Sequence, residues 1–281
     1  MTTHEGWSST RASEGLVVRP DDVLVCCDLR CFPMNGEDLS RVLFLGCLLN
    51  GTTFLRSDLS GARFIGCFSS DDGLPTAFLG ARLDGATVIR SHLHSVSERA
   101  LPGETRWTDE LARVASATLA ERNDVRYDAV RRLDDMGDPT VIPLLGALLN
   151  DPEWEVRAVV VRTLAQSLAR TGERWDADFQ RWTLRRLGDE HAMVRQPAMR
   201  LVELLSPSDA VLQSVVRRTE AATAEERLVG LNAGVELYRH DPRYARLLDL
   251  DSVRACLTDE QEDVRETAAL LLSTIASDGE G

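Results

Sequence analysis

The chain has 281 residues with 45 acidic and 32 basic side chains, a net charge of −13, and every basic residue is arginine, a bias that a GC-rich genome explains at least as well as function does. Such acidity makes a poor general nucleic-acid binder, since phosphate affinity comes chiefly from excess positive charge. No apolar stretch approaches the ~20 residues of a membrane span and Met1-Thr2-Thr3-His4-Glu5-Gly6-Trp7 does not resemble a signal peptide, so a two-domain cytoplasmic protein is expected.

Residues 1–22 read as a flexible arm or cap. Beyond them a large apolar residue returns every fifth position: Leu29, Met34, Leu39, Phe44, Leu49, Phe54, Leu59 and Phe64, then, after a slip of one residue, Phe78, Leu83, Val88 and Leu93. A small residue stands two places before nearly every one, as Cys27, Cys47, Thr52, Ser57, Ala62 and Cys67, then Thr76, Ala81, Ala86 and Ser91. Neither a helix nor an ordinary strand has a period of five. A short fixed repeat of this kind predicts a stacked solenoid. Phe32 and Pro33 spoil the block around Met34, and Gly73-Leu74-Pro75 marks the slip, where a protruding loop is expected near 69–76.

Blocks such as Asp58-Leu59-Ser60-Gly61-Ala62-Arg63-Phe64 and Arg82-Leu83-Asp84-Gly85-Ala86 resemble the pentapeptide-repeat family, whose pattern is A(D/N)LXX. The resemblance implies a right-handed quadrilateral β-helix over 23–94, four pentapeptides to a coil, with the central apolar and preceding small residues both inside. About three and a half coils at ~4.8 Å each make a column only ~17 Å tall. Its ends need covering by the helical part, by residues 1–22 or by a second copy.

After a linker at 95–107 containing Leu101-Pro102-Gly103, a second periodicity runs over 108–277, leaving a tail at 278–281. Val125-Arg126-Tyr127-Asp128-Ala129 recurs as Val156-Arg157-Ala158, Val194-Arg195-Gln196-Pro197-Ala198 and Val264-Arg265-Glu266-Thr267-Ala268, with a degenerate copy at Arg227-Leu228. Apolar helices ended by acidic turns precede them. Asp-Pro at 138, 151 and 241 reads as N-cap and N1 proline, and Thr258 to Gln261 as a capping box. These stacked pairs resemble HEAT-like repeats, which implies an α-solenoid of about five helix pairs whose second helices line a concave face. The fold class is thus mixed: two solenoids in succession.

Cys27, Cys47 and Cys67 are one coil apart and read as small interior residues, whereas Cys26 and Cys31 should point outward. Thiols so spaced make neither a CxxC-type chelate nor a good disulfide. His92 and His94, in the last block, should both face outward. There is no HExxH, P-loop, GxGxxG or GxSxG, so no catalytic residue, metal or cofactor is expected.

Five residues beyond the repeat arginine come Arg131, Arg162 and Arg200, the only site-like pattern. With Arg132 and Tyr127 nearby they would form a ladder on the second helices, suited to an acidic peptide because guanidinium forks bind anions bidentately. Arg126, Arg157, Arg195 and Arg265 instead read as scaffold: the HEAT-like resemblance implies an arginine here bonded to an acidic turn of an adjacent repeat, for which Asp138, Asp151, Asp189 and Asp259 are available; Trp154, Trp175 and Trp182 read as packing. The expected function is a non-catalytic adaptor or regulatory scaffold for a protein or peptide partner, in a bacterial pathway, without nucleic acid or membrane and with homo-oligomerisation open. One alternative is a glycosylase-like enzyme acting on DNA. The other is a DNA mimic that protects gyrase, against which stand a column of only ~5 base pairs at ~3.4 Å each and acids concentrated in the helical part.

Overall fold

The computed structural model describes residues 2–9, 15–71, 73–97, 107–173, 175–221 and 223–278. Most of the expected linker, 98–106, and residues 279–281 of the expected tail lie outside them. The chain forms two compact units, Met1–Thr171 and Gly172–Gly281. An N-terminal β-solenoid of about four turns with parallel strands is followed by a helical region with ten α-helices among the described residues.

The solenoid strands are β1 (Thr3–Glu5), β2 (Val23–Val25), β3 (Leu43–Leu45), β4 (Arg63–Ile65), β5 (Phe68–Ser69), β6 (Thr76–Ala77), β7 (Thr87–Ile89), β8 (His92–Leu93) and β9 (Ser95–Val96). On the first face, His4, Leu24, Phe44, Phe64 and Val88 stand in one parallel register, so a coil takes twenty residues until the last step, which takes twenty-four. The other faces run through Asp28, Leu48, Phe68 and His92, through Pro33, Thr53, Ala77 and Val96, and through Asp38, Asp58 and Arg82. Four faces five residues apart account for the period. The four extra residues enter between the Leu48–Phe68 and Thr53–Ala77 pairings, where the loop near 69–76 was expected. β1 adds one strand ahead of residue 23, where the apolar pattern is absent but the backbone ladder continues.

The central residues from Leu24 to Leu93 form one buried cluster in which Phe44 stacks on Phe64 and Phe54 on Phe78, at 4.7 and 5.2 Å. The small inner residues also bond along the column. Cys47 Sγ donates to Leu24 O, Thr52 Oγ1 to Leu29 O, Ser57 Oγ to Met34 O and Cys67 Sγ to Phe44 O, at 3.5, 2.7, 2.5 and 3.3 Å. Short side chains with one donor therefore satisfy carbonyls inside a dry core, where an unmet one is expensive. Each corner is a left-handed residue two places after the central one, as at Cys26, Cys31, Gly36, Arg41, Gly46, Arg56 and Gly66. Met34 is buried despite Phe32-Pro33: Pro33 pairs with Thr53, and Phe32 turns its ring onto Trp7 at 4.9 Å.

In the first unit the helices are α1 (Asp109–Ala117), α2 (Asn123–Met136), α3 (Ile142–Leu148) and α4 (Trp154–Thr171). The second unit holds α5 (Ala177–Leu184), α6 (Ala192–Leu205), α7 (Asp209–Val216), α8 (Ala224–His240), α9 (Leu250–Ala255) and α10 (Glu262–Asp278). They pair in chain order, α1 with α2 through α9 with α10, and α2 packs on α4, α6 on α8 and α8 on α10. On α2 the buried positions Arg126, Ala129, Val130 and Leu133 follow the helical period. Asp138 and Asp241 cap as expected, accepting from the N–H of Thr140 and Arg243 at 2.9 and 3.0 Å, each with proline next. The Thr258 capping box does not form. Thr258 ends the preceding 3-10 turn and donates to Ala255 O, and Asp259 accepts the Gln261 N–H instead, at 3.0 Å.

Within the first unit one side of the solenoid lies under α1 and α3. Pro143 rests on the corners at Gly46 and Gly66, where a β-carbon at residue 66 would fall 2.2 Å from the proline ring. Two outward residues are buried there, contrary to expectation. Cys26 lines the contact with α3. His92 lies beneath Trp107, with its Nδ1 accepting the Trp107 N–H at 3.2 Å and Nε2 3.1 Å from Asp71. Facing away from the coil interior does not expose a residue when helices cover that face. Cys31, beyond the covered strip, is exposed as expected.

Candidate functional site

Each second helix begins with an arginine that turns back on the preceding loop. Nη1 of Arg126 donates to the carbonyls of Ala120 and Glu121, Arg157 to Asp151 and Pro152, Arg195 to Asp189 and Glu190, and Arg265 to Asp259 and Glu260, all at 2.7–3.0 Å. Arg227, in the degenerate copy, does the same to Ala221 O at 2.9 Å. The remaining donors reach an acid further on: Arg126 holds Asp151 bidentately at 2.7 and 2.8 Å, and Arg227 reaches Asp259 at 2.6 Å. Arg195 takes Glu236, at 3.0 Å, and Asp138 is occupied with its own cap. These guanidiniums meet the helix-start carbonyls and are scaffold. Trp182 is buried, with the guanidinium carbons of Arg185 and Arg186 5.3 and 5.7 Å from its ring centre.

Arg131 on α2 and Arg162 on α4 occupy the same register of two packed second helices, and both are exposed. Among the described residues neither makes an ion pair, whereas most arginines around them do. Arg132 lies 4.0 Å from Glu110, and Tyr127 is half-buried. Arg200, on α6 of the second unit, is exposed and paired with Glu203 one turn on. The fold therefore places Arg131, Arg132, Arg162 and Tyr127 on helices of one unit and Arg200 on a helix of the other.

A cleft lies between the solenoid and α1–α3. Its inner part is a cavity of about 250 Å³ bearing Asp28, Arg30, Glu121, Arg126 and Asp151. Arg30 holds Asp28 through Nε and Nη2 at 2.8 and 2.7 Å, and this bond pushes the guanidinium pKa up. Arg126 is raised likewise, first by its bond to Asp151. An outer groove of about 460 Å³ adjoins it, sharing Arg30 and Leu119, and is lined also by Asn50, Ser70, Arg113 and Ser116. The two serine hydroxyls are 2.5 Å apart, and Ser116 Oγ donates to Ala112 O at 2.8 Å. The only hint in the sequence was the loop at the slip, which supplies Ser70.

Among the described residues no group of three or more His, Cys, Asp or Glu could hold a metal ion, and no helix is long and apolar enough to cross a membrane. Burial pushes the Cys27 and Cys47 thiols well above the ordinary value, which makes them poor nucleophiles.

The HEAT-repeat family matches residues 111–178. No curated protein matches the chain. Among solved structures the chain is similar to the MAST/Orbit N-terminal domain, at 19% identity over 58% of this chain and 82% of that one, with a TM-score of 0.42. A structure from work on TOG–tubulin binding specificity in microtubule dynamics and mitotic spindle formation is similar at 14% identity over 61% and 78%, with a TM-score of 0.41. An engineered protein follows at 15% over 60% and 81%, with a TM-score of 0.32. At these identities and scores the likeness carries no argument about function or partners.

Proposed function

We propose that the protein is a non-catalytic interaction scaffold of the cytoplasm, gripping an acidic segment of a protein partner on the face of its second helices, with Arg131, Arg162, Arg200, Arg132 and Tyr127 as contact residues. The β-solenoid, read as a pentapeptide-repeat coil, supplies a second fixed surface. The observation that carries this reading is the exposure of Arg131 and Arg162 without ion pairs among the described residues, in a chain where acids outnumber arginines. A preformed helical face binds such a segment with little ordering of its own. The test is fluorescence anisotropy with a labelled polyglutamate peptide, alongside paired affinity capture from the native cell, comparing wild type with the triple variant Arg131→Glu, Arg162→Glu, Arg200→Glu. Loss of the peptide and of the same cellular protein from the variant alone, with helical circular dichroism unchanged, supports the reading. Equal binding by both sinks it.

A further inference from the structure

The outer groove beside α1 stands apart from the arginine row and from the general charge of the molecule. In a chain of net charge −13, no carboxylate lines it among the described residues, while two guanidiniums do. Arg30 is neutralised by Asp28, but that bond uses Nε and Nη2 and leaves Nη1 uncommitted. Arg113, exposed on α1, makes no ion pair among the described residues. Arg113 therefore brings one uncompensated positive charge to the groove and Arg30 a free N–H donor, and two guanidinium forks suit a phosphate monoester better than a single carboxylate.

The wall opposite α1 is built where four residues are inserted into the twenty-residue period. The extra residues between Phe68 and Ala77 carry Ser70 to within 2.5 Å of Ser116 and bring Gly73 against Asn50, where a β-carbon would lie 2.6 Å from the amide nitrogen. The uninterrupted coils have no such loop. Beside Gly73, Ala117 and Leu119 the lining carries the hydroxyls of Ser70 and Ser116 and the carboxamide of Asn50, groups that exchange hydrogen bonds with alcohols. It contains no aromatic ring on which a base could stack.

We propose that this groove binds a small phosphorylated polyol, with Arg30 and Arg113 on the phosphate and Ser70, Ser116 and Asn50 on the hydroxyls. The site is independent of the arginine row on the second helices. Isothermal titration calorimetry of the full chain with glucose 6-phosphate, glucose, inorganic phosphate and adenosine monophosphate tests it. Glucose 6-phosphate should bind more tightly than the other three. Arg113→Ala should weaken it about tenfold, the loss of one charge-assisted bond, and Arg113→Lys should restore part of that. The triple variant of Arg131, Arg162 and Arg200 should bind it as wild type does, which separates the two proposals. Inorganic phosphate binding as tightly as the sugar phosphate would mean an adventitious anion patch only. That result, tighter binding of the nucleotide, no heat with glucose 6-phosphate, or undiminished affinity in Arg113→Ala would each overturn the assignment.

Discussion

A left-handed corner admits glycine without strain and other residues at about 1–2 kcal/mol each, so the solenoid's corners differ in what they tolerate. Gly36, with φ of +70° and open space around it, isolates the backbone penalty; Gly66, with φ of +61°, adds the proline ring 2.2 Å away. Gly36→Ala should cost about 1 kcal/mol, and Gly66→Ala a further ~2 kcal/mol for overpacking, read from urea midpoints. Equal losses would mean that Pro143 does not rest on this corner. The stacked thiols make a pH prediction. Burial raises the Cys27 and Cys47 pKa values, so the folded state keeps protons that the unfolded chain releases. Their stabilisation is complete below the unfolded value, about 8.5, and is lost above it. The melting temperature should fall above about pH 8.5, and less steeply in Cys27→Ser/Cys47→Ser, where the hydroxyl keeps the donor without titrating in that range.

Among the elements, the second helices are tied to their own loops by the arginine clamps. Arg126 and Asp151 are an enclosed pair, 10% and 5% exposed, and Arg126 also bonds two carbonyls. Arg126→Ala should cost about 3 kcal/mol, because it leaves a buried carboxylate unpaired. Arg131→Ala on the same helix should change stability by less than ~0.5 kcal/mol. Chemical denaturation of both variants checks the contrast, and a comparable loss for Arg131→Ala would place that residue in the scaffold rather than on a binding face. The five copies were legible because a repeated Val-Arg pair marks each helix start. The partners of the clamps were less so: Arg195 bonds Glu236, a residue forty-one positions on that no local pattern singles out.

For the whole molecule, the first compact unit joins the solenoid to four helices, and this has a consequence for truncation. Residues 1–171 should fold alone as a monomeric species with mixed strand and helix circular dichroism. Residues 1–97 would uncover Cys26, Leu48, Phe68 and His92, all buried in the full chain, and should self-associate or remain unfolded. Size-exclusion chromatography and circular dichroism of the two fragments decide it. A stable, monomeric 1–97 fragment would show that the column needs no helical cover.

Both solenoids could be read from the order of the amino acids alone. Their apolar periods, five and the helical one, are local facts repeated often enough to exclude other folds, and the slip at 69–76 located the loop. That order also determined which cysteines lie inside the coil, since the side chain's direction follows from position in a five-residue block. Tertiary structure decided what those blocks could not encode: which outer face is covered, and so why Cys26 and His92 are buried while Cys31 is not. It decided, too, that Arg30 and Arg113, eighty-three positions apart, line one groove. Contacts between distant elements depend on how a coil and a helix pair meet, and no periodicity within either records that.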